Sequence, residues 1–218
     1  MKKIEKKNSN KKYFPLLLLA ISLIVVVAIL GNHFINQKDP VETTVAESSP
    51  LRAQGSTDAL VTITEFADFG CITCKAWHQF GIKEQVQEKY GDQVRFVWRD
   101  FPVITVDSPM AAEAGFCAHD QGRFWEYHDL LYQNAPALKE ENLKQYAAEL
   151  GLDTSAFNQC LDSGHYTEAV ENELQEALSF GFRGAPSFLV NGQRLIGPPS
   201  FEQFSVIIDE IILGQDES

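Results

Sequence analysis

Basic charge is scarce in this sequence once its first twelve residues are passed. The formal net charge is −12, although residues 1–12 hold six lysines against the single acid Glu5; the remainder therefore carries −17. A body so acidic repels nucleic acid, and its plain reading is a solvated surface. A second close pair of metal-type ligands is also lacking. Cys71 and Cys74 form one C-x2-C pair, and His78 extends it only to C-x2-C-x3-H. Structural zinc takes four closed ligands, usually with a second close Cys or His pair. Cys117 and Cys160 stand alone, and His119, His128 and His165 form no cluster with them. The sequence shows no internal repeat, and no cysteine directly follows the N-terminal apolar run to carry a lipid. From Asp39 to Gly55 there is no aromatic residue, only a stretch rich in Pro, Glu, Thr, Ser and Ala that reads as an extended tether.

Tyr13 to Leu30 is nearly all apolar, interrupted by Pro15 and Ser22. A bilayer-spanning helix needs about 18–20 such residues. The preceding lysines put residues 1–12 in the cytoplasm by the positive-inside rule. The organisation expected is a basic cytoplasmic tail over 1–12, a transmembrane anchor over 13–31, a flexible linker over 32–56 and one folded domain over 57–216. The rival to the anchor is a signal peptide cleaved near Val26-Val27-Ala28, although Ile29 and Leu30 continue the apolar run. Either way the domain reaches a compartment where disulfides persist.

Cys71 and Cys74 carry the chemistry. Two thiols at this spacing close and reopen a small disulfide when they follow a β-strand and start a helix. Ala59 to Phe66 is an apolar, β-branched run suited to a buried strand. Lys75 to Tyr90 suits an amphipathic helix, with a possible bend at Gly81. Val94 to Arg99 is a second strand, so β-α-β with parallel neighbours is expected. Residues 107 to 180 read as helical. Ser187 to Ile196 reads as a hairpin turning at Asn191-Gly192, and Phe201 to Leu213 as a closing amphipathic helix. His128, Phe124 and Tyr127 fall on an apolar helical stripe and are expected in the core.

Four stretches in this order resemble DsbA-type thiol–disulfide oxidoreductases: Glu65 to Cys74, Val94 to Pro102, Gln121 to Asp129 and Gly184 to Gly192. The similarity covers nearly all of residues 57–216, and it is nearest to the membrane-anchored or secreted bacterial branch. It implies an α/β thioredoxin fold with a helical insert over about 103–181, and disulfide formation outside the cytoplasm without a cofactor. Two positions depart from the common pattern: Ile72 follows the first cysteine where many members have Pro, and Ala185 precedes the later proline where many have Thr or Val. Ile72, Thr73 and Ala185 sit where redox potential and substrate contact are tuned.

Cys71 is expected at a helix N-cap, where free N–H groups and the helix dipole favour its thiolate. It is then the exposed sulfur that substrates attack, and the more buried Cys74 resolves the mixed disulfide. The resemblance implies that Glu65 is a buried acid relaying a proton for Cys74; the plain alternative is a partly exposed strand-end acid. Asp68 reads as a loop residue. Pro186 matches the family's cis-proline, with the Ala185 backbone free to pair with an extended substrate. Cys117 and Cys160, 43 residues apart, are expected to bridge in an oxidising compartment, with two free thiols or a second redox relay as alternatives.

The leading functional expectation is an oxidase that hands the Cys71–Cys74 disulfide to reduced exported polypeptides. A quinone-linked membrane thiol oxidase would renew it. One alternative is a reductase or isomerase with the same site. Another is a membrane-tethered assembly factor that binds thiol clients or copper without turnover.

Overall fold

The computed structural model describes residues 52–216. The expected tail at 1–12, anchor at 13–31 and most of the linker lie outside the described residues. Among the described residues no helix is long and apolar enough to cross a membrane.

Val61–Ala67 forms strand β2, buried along most of its length, as its Val-Thr-Ile-Thr pattern demands. It is followed by helices α1 (Ile72–Gln79) and α2 (Ile82–Tyr90). The sequence suggests one helix with a bend; the structure has two. Gly81 adopts a left-handed φ of 65°, which costs a residue with a Cβ roughly 1–2 kcal/mol, so the break falls there. Strand β3 (Val94–Asp100) then pairs parallel to β2, setting Glu65 opposite Trp98 and Ala67 opposite Asp100.

Five helices follow: α3 (Ser108–His119), α4 (Phe124–Asn134), α5 (Glu140–Glu149), α6 (Thr154–Asp162) and α7 (Thr167–Ser179). The chain then returns to the sheet as β4 (Ser187–Val190), antiparallel to β2, and β5 (Gln193–Ile196). Asn191 at φ 45° and Gly192 at φ 86° make the tight turn that the Asn-Gly pair anticipates. Helix α8 (Phe201–Asp216) closes the domain. This is a thioredoxin-like α/β fold interrupted by a helical insert. Trp77, Val86, Phe188, Phe204 and Ile208 form one core beside the sheet. A second core joins Cys74, Phe69 and Trp98 to Tyr127, Leu131 and Phe157 of the insert. Through it, the insert packs directly against the cysteine pair.

The linker expected over 32–56 is corrected at its end. Ala53–Gln54 is a short strand, β1, antiparallel to β3 at the sheet edge, so the strand order is β1-β3-β2-β4-β5. What draws the chain in is Arg52. Its buried guanidinium bridges Asp100 and Glu173 and lies 3.7 Å over the Phe116 ring. Cys117 on α3 and Cys160 on α6 are bonded to each other, so of the three possibilities it is the bridge that the structure holds.

Candidate active site

Cys71 is the N-cap of α1. Its backbone is extended (φ −84°, ψ 115°), and its Sγ accepts the backbone N–H of Cys74 at 3.2 Å. Its own N–H donates to the Asp68 carbonyl at 3.0 Å. Both sulfurs are unbridged here. Cys71 is 4% exposed and Cys74 0%. Their order is as expected, but Cys71 is less open than the sequence suggests. The reason is the β4 approach: the peptide before Pro186 is cis, and the Ala185 carbonyl oxygen lies 3.4 Å from the Cys71 sulfur, within reach of its S–H. The side chain that stands out is Ile72, 82% exposed in the first turn. Thr73 is also exposed.

The two thiols are driven apart electrostatically. The Cys71 pKa falls from 9.0 to about 7, first because the Cys74 side chain hydrogen-bonds to it, with the Cys74 and Thr73 backbone groups helping. Burial and the charge of Asp68 oppose that fall. The Cys74 thiol is pushed up, first by burial, then by Cys71, with Glu65 among the charges that add to the rise. One sulfur is therefore poised to be a thiolate near neutral pH, and the other holds its proton.

Glu65 projects from β2 and is 3% exposed, so it is not a partly exposed strand-end acid. Its Oε1 lies 3.0 Å from Nε2 of His78. The ring of His78 stacks on Tyr132 (4.8 Å, 27°) and meets His128 edge-on at 4.6 Å. His128 is a core residue, as its apolar stripe suggests, and burial pushes its pKa down to about 3.

Two participants escape sequence reasoning. Asp68 is buried rather than a plain loop residue: its carboxylate accepts N–H bonds from Gly70 (2.7 Å) and Ile104 (2.8 Å), and burial raises its pKa. A Cβ on Gly70 would come within 2.9 Å of Thr105 and Ser108 side-chain atoms, so glycine permits the close approach of that loop. His78 follows Cys74 by four residues, one helical turn, and that spacing is the only signal the sequence carries for it.

Beside the cysteines, Thr73, Ala76, Trp77, Phe80, Pro198 and Pro199 line an apolar groove of about 300 Å³. Trp77 is fixed there by its Nε1–H, which donates to the Pro199 carbonyl at 2.8 Å. Among the described residues no three His, Cys, Asp or Glu side chains are grouped so as to hold a metal ion.

The geometry agrees with the comparisons to known proteins. A family model described as thioredoxin matches residues 47–210. The probable disulfide bond formation protein D of Bacillus anthracis is 29% identical over 215 residues, covering 94% of this chain and 98% of that protein. The Na(+)/H(+) antiporter NhaA of Herminiimonas arsenicoxydans is 39% identical over 144 residues, 66% of this chain but 23% of the antiporter, so the chain spans about a quarter of that relative. Among solved structures, a thioredoxin-like oxidoreductase from Silicibacter pomeroyi DSS-3 aligns with a TM-score of 0.67 and 26% identity, over 73% of this chain and 91% of that one. BdbD from Bacillus subtilis in its oxidised form aligns with a TM-score of 0.68 and 20% identity, over 74% and 92%, which speaks for the fold. The cysteine pair capping its helix, the helical insert and these likenesses together place the chain in the thioredoxin family, as a DsbA-like member.

Proposed function

We propose that this chain is an extracytoplasmic thiol–disulfide oxidoreductase that introduces disulfides into exported polypeptides through Cys71 and Cys74. The observation that carries the reading is the asymmetry of the pair: Cys71 held down at about 7 at a helix N-cap, Cys74 pushed up behind it. A client thiolate attacks the Cys71 sulfur of the oxidised pair. The Cys71–Cys74 bond breaks, and Cys74 leaves with the electron pair and takes a proton, with Glu65 as its donor. A second client thiolate then attacks the client sulfur of the mixed disulfide and expels Cys71 as thiolate. The client loses two electrons and the pair gains them. A leaving thiol of lowered pKa departs faster, and stabilising its thiolate stabilises the reduced protein, which makes the disulfide more oxidising.

The Ala185 backbone beside the sulfur and the apolar groove suit an extended, partly unfolded peptide better than a small thiol. Ile72 and Thr73 set part of the potential from the first turn of α1. In this reading residues 13–31 anchor the chain with its N-terminus in the cytoplasm, and a quinone-linked membrane thiol oxidase renews the disulfide. One observation favours the reverse direction, a reductase: the Asp68 charge works against the Cys71 thiolate.

Equilibration with reduced and oxidised glutathione separates the two. An oxidase shows the pair largely reduced at a glutathione ratio that leaves thioredoxins oxidised. A potential in the thioredoxin range, about −270 mV, contradicts the oxidase reading. Full refolding activity on a reduced client by Cys71→Ser contradicts catalysis altogether.

A further inference from the structure

The chemistry above needs a path for one proton between Cys74, which is wholly buried, and water. Glu65 is itself buried, so a carboxyl there is only half a path. The structure continues it. The side chain of His78 is 10% exposed, and its Nε2 meets Glu65 Oε1 at 3.0 Å. The same ring lines a cleft of about 220 Å³, open to solvent, together with Gln79, Glu84, Asp129, Tyr132 and Gln133. Nothing else in the cleft lining is hydrogen-bonded to Glu65.

We propose that His78 is the outward half of a proton relay, passing between Glu65 and the water of this cleft the proton that Cys74 gains or gives up. The inference rests on the oxidoreductase reading above. When Cys74 attacks the Cys71–client disulfide, its S–H proton goes to the Glu65 carboxylate. The Cys71–Cys74 bond forms, and the client sulfur leaves with the electron pair. Glu65 then passes the proton to Nε2 of His78, and the imidazole releases one from its other nitrogen. Imidazole suits the task because it has two nitrogens, one for entry of the proton and one for its exit. Running backwards, the same chain delivers a proton to Cys74 as it leaves.

The titratable and charged groups around the ring are Glu65 on β2, Lys83 and Glu84 on α2, and His128, Asp129 and Tyr132 on α4. His128 does not compete for the proton, since burial keeps it uncharged. Lys83 is held away over the Trp125 ring, its Nζ 3.8 Å from the centroid. His78 touches neither sulfur by any hydrogen bond in the structure, so it acts through Glu65 as a positioning residue.

The test is single-turnover release of glutathione from a Cys71–glutathione mixed disulfide, followed from pH 5 to 9 in the full chain and in His78→Ala, His78→Asn and Glu65→Gln. General acid–base assistance contributes about 10²–10⁴-fold in rate, so the His78 variants should release glutathione at least tenfold more slowly near pH 7. Imidazole added to the solution should restore His78→Ala in a saturable way and leave Glu65→Gln slow. Alkylation of Cys71 should keep its pH midpoint in both His78 variants. Release at the wild-type rate in both, or slow release that imidazole does not restore, overturns the relay while the oxidoreductase reading stands. His78→Asn, similar in shape, gives the rate comparison if the alanine variant fails to fold. Absence of any exchange with glutathione in the unaltered chain overturns both readings.

Discussion

Asp68 accepts the backbone N–H of Ile104 at 2.8 Å, tying the loop that leads into the cysteine pair to the loop that opens the helical insert. The same carboxylate accepts the Gly70 N–H, and its charge is one of the two influences opposing the Cys71 thiolate. Asp68→Asn removes the charge and keeps one of the two acceptors, since Gly70 and Ile104 donate to different carboxylate oxygens. The expected outcome is a downward shift in the pH midpoint of Cys71 alkylation and a more oxidising pair. An unchanged midpoint would show that the carboxylate serves only as a tie.

The Arg52 bridge makes a prediction about stability. Removing one partner of a buried ion pair leaves the others uncompensated, at a cost of about 3–5 kcal/mol. Arg52→Ala leaves Asp100 in the interior without its cation and Glu173 with Arg99 alone, 3.7 Å away. Urea unfolding should register a loss of that size. A loss below about 1 kcal/mol would mean that the chain before β2 contributes little to the domain.

How much of this was legible beforehand depends on how local each feature is. The N-cap at Cys71, the turn at Asn191-Gly192 and the β-branched run of β2 are short-range patterns, and the structure keeps them. Asp68 was not legible because its partner Ile104 lies 36 residues away. Arg52 was missed for the same reason: its acids are 48 and 121 residues distant, and a two-residue strand has no periodicity to read. His78 could be weighed from sequence only as a third ligand to a metal. Its pairing with Glu65 comes from the way α1 folds back beside β2, which no spacing rule encodes. The cover over Cys71 likewise comes from a residue 114 positions on.

The Cys117–Cys160 bridge closes a loop of 43 residues between α3 and α6. On the chain-entropy model such a loop contributes up to about 4 kcal/mol. Cys117→Ala/Cys160→Ala should lower the unfolding free energy toward that limit while leaving Cys71 alkylation unchanged. A parallel change in the Cys71 midpoint would instead make the bridge part of the redox chemistry.

The lowered Cys71 pKa also makes stability depend on pH, with a definite sign. A thiol whose folded value is depressed stabilises the fold above its unfolded value, here 9.0, and that contribution is lost as pH falls through about 7. Reduced protein should therefore gain stability relative to oxidised protein between pH 7 and 9. The raised Cys74 pKa opposes this only above about 9, where the unfolded thiol would ionise. Thermal unfolding of both redox forms at pH 6, 7, 8 and 9 checks it. A difference that is flat, or that shrinks with rising pH across that window, has the wrong sign.

The account stands on one sulfur being ready to ionise while its neighbour keeps its proton. The most direct measurement is iodoacetamide alkylation of the reduced protein as a function of pH, with the modified cysteine identified by mass spectrometry. The account predicts modification confined to Cys71 with a midpoint near pH 7, and Cys74 unreacted in the folded state. A midpoint near 9, or Cys74 reacting as readily as Cys71, would contradict it.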